Sequence, residues 1–234
     1  MEVYNKNRDQ NNSIHDEIRE QNAKLRDAPL KEKIEYFQEY YLKTTILIVI
    51  AVIFVVYLAY SILTAPSDTA FAAFFYNNTG DPSSTELIDR FTAYMNIDTE
   101  KHEAYIDATM NYAPDNNSYD AYVSLEKSMA VITTGELDIV VGDTDTLDYF
   151  ARGECLLDIT AVLPDDLLTQ FADKLYYAKS GENGERIPVG VYVTDSPKLN
   201  QYFYYVDKEP ILGIVINSDN IDNATAFLRY IYIE

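Results

Sequence analysis

Hydrophobic positions along this chain follow two different patterns. From Thr44 to Leu63 the run TTILIVIAVIFVVYLAYSIL carries no charge, and as a helix of twenty residues it extends about 30 Å, the thickness of a bilayer's hydrocarbon core. A buried core helix would show a polar face, and this run shows none. Beyond Pro66 the apolar positions fall instead into short β-rich runs separated by stretches of helical period. The predicted strands are Ala70–Tyr76, Ala104–Met110, Leu137–Val141, Ile187–Val193 and Ile211–Ile216. Helical spacing joins Leu87, Phe91 and Tyr94; Tyr122, Leu125, Met129 and Ile132; Leu168, Phe171 and Leu175; and Ile221, Ala224, Leu228 and Ile231. Ser83-x-x-Glu86 reads as a capping box, and Ser196-Pro197 as a cap followed by a first-turn proline.

Alternation of strand and helix requires crossover connections, hence a mostly parallel sheet covered on both faces. The expectation is an α/β chain: one N-terminal transmembrane helix, then a single-lobe, three-layer domain. Its divisions are a leader over 1–43, a membrane anchor over 44–63, a linker over 64–69 and the folded domain over 70–234. In the leader, Leu30, Ile34, Phe37 and Tyr41 share one helical face behind Asp27 as cap and Pro29 in the first turn. That predicts an amphipathic helix entering the membrane, with Tyr36, Phe37, Tyr40 and Tyr41 as an aromatic collar. Residues 1–13, rich in Asn and charge, read as disordered.

Charge sets the direction of the span. Lys24, Arg26, Lys31, Lys33 and Lys43 precede it closely, whereas the first basic residue after it is Arg90. By the positive-inside rule the N-terminus is cytoplasmic and the C-terminal domain lies outside a plasma membrane crossed once. A cleaved signal peptide fits poorly, because the leader is too long and Leu63-Thr64-Ala65-Pro66 offers no small-residue cleavage site. Of 18 basic and 38 acidic residues, 10 and 29 follow the span, so the outer domain carries about −19. No Lys or Arg cluster is visible to neutralise phosphates, which argues against nucleic acid as a partner. The lipid bilayer is the first partner expected.

A lone Cys155 excludes an internal disulfide and a Cys-based zinc cage, and its apolar neighbours suit a buried thiol. No nucleophile elbow, zinc-protease, Walker or dinucleotide motif is present, and only His102 could serve as a base outside, so no catalytic activity, cofactor or metal is expected. Asp143-x-Asp145-x-x-Asp148 could offer oxygen ligands to Ca²⁺, or simply cap a helix. Asn77-Asn78-Thr79, Asn116-Asn117-Ser118 and Asn223-Ala224-Thr225 match the glycosylation sequon.

In parallel α/β sheets ligands bind beyond the C-terminal strand ends. The candidate ligand-binding residues there are Asn77 and Asn78; Asp143, Thr144 and Asp145; Thr194, Asp195 and Ser196; and Asn217. Each is equally a common turn former or cap, and it is the agreement across four loops that suggests a site.

The stretch Ser124–Asp148, SLEKSMAVITTGELDIVVGDTDTLD, resembles the type II extracellular solute-binding proteins of bacterial uptake systems, as do Tyr149–Thr160 and the ending Gly213–Ser218 followed by Ala224–Ile231. The chain departs from that family in having room for one lobe only, no Trp, and a membrane helix in place of a lipid-anchored cysteine. The resemblance implies a membrane-anchored, shortened relative from a Gram-positive bacterium. Two functions follow: a tethered module that holds or senses a small solute, or a non-catalytic interaction or scaffold protein of the cell envelope whose cleft is vestigial.

Overall fold

A computed structural model describes residues 28–64 and 66–233 except 67, 116, 117, 183 and 203, together with Arg19, Ala23 and Arg26. The chain divides into two compact units, Met1–Leu63 and Thr64–Glu234.

The first unit contains α1 (Leu30–Tyr40) and α2 (Leu42–Thr64). Pro29, extended at ψ 153°, is the cap residue of α1 rather than a member of its first turn; Asp27 and residues 1–13 lie outside the described residues. Leu30, Ile34, Phe37 and Tyr41 are all exposed. Phe37 and Tyr41 stack with ring centroids 6.3 Å apart, whereas the side chains of Tyr36 and Tyr40 lie outside the described residues. Within α2, Leu42–Leu63 has a mean hydropathy of 3.0 and none of it is buried. It is long and apolar enough to cross a membrane.

The second unit is built on one six-stranded sheet, counting described residues, of order β2-β1-β3-β6-β5-β4. The strands are β1 (Asp68–Tyr76), β2 (His102–Met110), β3 (Ile139–Gly142), β4 (Leu175–Lys179), β5 (Arg186–Tyr192) and β6 (Ile211–Ile214). Its helices are α3 (Glu86–Met95), α4 (Tyr119–Thr134), α5 (Thr144–Arg152), α6 (Ile159–Val162), α7 (Asp165–Gln170), α8 (Pro197–Gln201) and α9 (Ile221–Tyr230). β1 shows why a near-continuous apolar run suits a central strand. Phe71, Ala73 and Phe75 enter one core with α3 and α9, while Ala72, Phe74 and Tyr76 enter the other with α4 and α5. Three layers result. The first core centres on Phe71, Phe91 and Phe227, with centroids 4.9–5.1 Å apart, and each buried ring contributes about 1.5–3 kcal/mol.

The sheet is mixed rather than mostly parallel throughout. β1 pairs in parallel with β2 and β3, as the alternation of elements requires. Beyond β3 every pairing is antiparallel. The cause is β4, where Leu175 begins an edge strand instead of closing a helical face; α7 ends at Gln170. With β4 in place, the chain returns directly into the antiparallel β5, and no crossover helix intervenes among the described residues.

The capping box at Ser83 is not formed. Asp81 Oδ1 accepts from the Ser83 N–H at 2.9 Å and from its hydroxyl at 2.6 Å, and α3 starts after Thr85. Ser196 does cap α8, accepting from Leu199 N at 3.2 Å ahead of Pro197. Cys155 is buried as its neighbours suggested, and that burial raises its thiol pKa.

Candidate functional site

In the order 2-1-3 the chain leaves β1 towards β2 on one side and β3 on the other, so the topological switch point lies between the C-terminal ends of β1 and β3. Asn77 and Asp143 stand at these two ends and meet: Asn77 Nδ2 donates to Asp143 Oδ2 at 2.8 Å. Two of the candidate residues are thus brought together by the sheet. Their remaining polar atoms are also engaged. Asn77, left-handed at φ 53°, donates from Nδ2 to Tyr112 O at 2.7 Å and accepts Tyr112 N at 3.0 Å. Asp143 Oδ1 accepts Thr146 N at 3.0 Å and the Thr146 hydroxyl at 2.7 Å, capping α5. Gly142 is required beside them, because a Cβ there would meet Thr146 side-chain atoms at 2.9 Å. Asn78 closes its own turn through Gly80, accepting Gly80 N at 2.8 Å.

The crevice between these strand ends is filled by the chain itself. The connection from α8 to β6 crosses it and inserts Tyr205, whose hydroxyl lies 3.1 Å from both Tyr76 O and Val141 O. Lys208 Nζ donates to Asn77 O at 2.6 Å, and Thr79 N reaches Tyr204 O at 2.8 Å. What remains among Tyr76, Asn77, Asp143, Tyr205 and Lys208 is a space of about 10 Å³, room for about one water. Burial, with the nearby Asp143 charge, raises the Tyr205 phenol well above its ordinary range, so it stays a hydrogen-bond donor at any physiological pH.

The other candidates do not join this point. β5 runs in the same direction as β3, so Thr194, Asp195 and Ser196 share its edge of the sheet, but β6 intervenes and sets them about 10 Å aside, two strand spacings. There Asp195 accepts from Lys174 Nζ at 2.5 Å and from the Tyr232 hydroxyl at 2.8 Å; the lysine and the phenol outweigh the effect of burial and hold its carboxyl below the usual range. Ser196 Oγ, besides capping α8, donates to Ile231 O at 2.9 Å, and Thr194 O accepts from Asn200 Nδ2 at 3.0 Å. Asn217 is at the opposite edge, because β6 is antiparallel to β3. The agreement of four loops is therefore an agreement of three, and only Asn77 and Asp143 touch. Thr144 and Asp145 are exposed on the first turn of α5, where Asp145 borders an open groove shared with β4 and β5.

Asp143, Asp145 and Asp148 do not gather as ligands: no cluster of three or more His, Cys, Asp or Glu side chains suited to a metal occurs among the described residues. His102 sits at the start of β2, its Nδ1 2.6 Å from Asp68 Oδ1. Tyr205 and Lys208 carry no local signal, since their partners lie more than sixty residues away. Compared with models of protein families, with curated proteins and with solved structures, the chain matches none.

Proposed function

We propose that the chain is a single-pass plasma-membrane protein, N-terminus inside, whose outer α/β domain is a non-catalytic interaction module of the cell envelope, related to one lobe of a type II solute-binding protein but with its strand-end cleft closed. The observation that carries this reading is the occupancy of the crevice between β1 and β3 by Tyr205 and Lys208. A solute would have to displace a buried phenol and an ammonium that both satisfy backbone carbonyls, at a cost of several kcal/mol before any contact of its own formed. Docking asks for no such rearrangement. It is supported by an exposed patch on α4, where Tyr119, Tyr122 and Val123 are 78%, 58% and 41% exposed beside Leu125, Met129, Ala130 and Tyr149. Glu126 and Lys127 line the same groove, and exposed apolar surface bordered by polar groups marks interaction sites.

The positively charged flank before the span supports the assigned direction. Photo-crosslinking in intact cells from position 122, with external protease as the topology control, tests the proposal. The expected result is one defined adduct with an envelope or membrane protein, and loss of residues 64–234 to protease. Recovery of uncrosslinked chain alone would sink the docking role, and protection from protease would sink the topology.

The first of the two readings offered by the sequence, a module holding or sensing a small solute, keeps one specific support: the Asn77–Asp143 pair sits at the switch point. It would require the Gln201–Pro210 connection to swing away.

A further inference from the structure

In an outer domain of about −19, cations without carboxylate partners are conspicuous. Among the described residues, five of its ten basic residues, Arg90, Lys101, Lys127, Lys174 and Arg229, meet an acidic side chain. Lys208 is bonded to a carbonyl, and Lys198 lies 4.9 Å from the centroid of the Tyr230 ring. The three that remain, Arg152, Lys179 and Arg186, all line one open groove of about 480 Å³ between α5 and the β4–β5 hairpin. That volume is in the range of small-molecule sites.

The groove is organised rather than loose. Arg152 Nε donates to Asp148 O at 3.2 Å and Arg186 Nη2 to Tyr177 O at 2.6 Å, which positions both guanidinium groups while leaving most of their five donors unused. Lys179 and Arg186 oppose each other directly in the β4–β5 register. Like charges in that relation destabilise a hairpin, and here no carboxylate among the described residues relieves them. Of the two acids in the groove, Asp148 is engaged by the Tyr176 hydroxyl at 2.6 Å, and Asp145 is exposed. An arginine fork matches a carboxylate or phosphate in geometry as well as charge.

We propose that this groove is a binding site for a small organic anion, whose carboxylate or phosphate group is held by Arg152, Lys179 and Arg186. The site is separate from the closed crevice and stands independently of the docking role. Isothermal titration calorimetry on the full chain in nonionic detergent, at constant ionic strength, tests it with citrate and, in a second arm, inorganic phosphate. Saturable one-to-one binding of at least one probe is expected, and a preference between them identifies the head group. Affinity should fall at least tenfold in the combined variant Arg152→Gln, Lys179→Gln, Arg186→Gln and be unchanged in Lys198→Gln. Should the combined variant lose its circular-dichroism signature, the three single variants replace it, each expected to bind at least threefold more weakly. No saturable heat with either probe, or unchanged affinity in the groove variants, overturns the proposal.

Discussion

Replacing Asp138 by Asn should change how the stability of the α/β domain depends on pH. Asp138 is fully buried just before β3, where Oδ2 accepts Ala72 N at 2.8 Å and Oδ1 accepts the Ser218 hydroxyl at 2.6 Å. Burial is the largest influence and raises its pKa from 3.8 to about 6, against the lowering effect of those hydrogen bonds. The folded state therefore binds the proton more tightly than the unfolded chain. Stability from this group is complete below pH 3.8 and is lost as pH rises through 6, because over that window unfolding releases a proton. The separation corresponds to about 3 kcal/mol. An asparagine can keep both contacts, its oxygen accepting Ala72 N and its amide donating to Ser218 Oγ, without a charge to desolvate. Urea unfolding of the full chain in detergent, followed by tyrosine fluorescence between pH 4 and pH 7.5, gives the comparison. Other carboxylates, such as Asp107 and Asp195, have lowered pKa values and contribute the opposite slope at lower pH; the difference between wild type and Asp138→Asn removes them. That difference should favour the variant increasingly as pH rises from 4 to 6, then level off. A difference independent of pH would refute the assignment of the titration to Asp138.

Substitutions at two further positions examine the closed crevice. Tyr205→Phe should cost about 1–3 kcal/mol through the lost hydrogen bond and Tyr205→Ala about 3–5 kcal/mol through the cavity as well; an alanine variant within about 1 kcal/mol of wild type by denaturant midpoint would mean that the connection is not packed there. Asp143→Ala removes the α5 cap and the bond from Asn77, and should cost about 1–2 kcal/mol in the same assay, with no change in citrate or phosphate binding; if instead anion affinity falls while stability holds, Asp143 belongs to a site and not to the scaffold.

Much of the local structure was legible along the chain. An uninterrupted apolar run specifies a helix suited to lipid, because nothing but a bilayer or a core can accept every face of it, and Leu42–Thr64 is that helix. β1, β2, β3, β5 and β6 fall within a few residues of their expected positions, as do α3, α4 and α9, since the periods of strand and helix are written in neighbouring side chains. Asp143 and Ser196 cap helices for the same local reason. Leu175–Lys179 is the exception within this class: a half-exposed edge strand of five residues, of which only Ala178 is buried, presents too little alternation to outweigh the helical spacing of Leu168, Phe171 and Leu175.

Strand order and direction were decided elsewhere. Whether β6 enters beside β3 in parallel or antiparallel depends on pairing partners some seventy residues apart, and no run of adjacent residues records that choice. From it follows the removal of Asn217 to the far edge; the meeting of Asn77 with Asp143 rests on the parallel pairing of β1 with β3, and the filling of their crevice on Tyr205 and Lys208, more than sixty residues further along the chain. The gathering of Arg152, Lys179 and Arg186 around one groove depends likewise on long-range packing, of α5 beside the paired strands β4 and β5. Periodicity reports which face of an element is buried; it is long-range packing that determines what each exposed or polar residue finally touches, and function depends on those contacts.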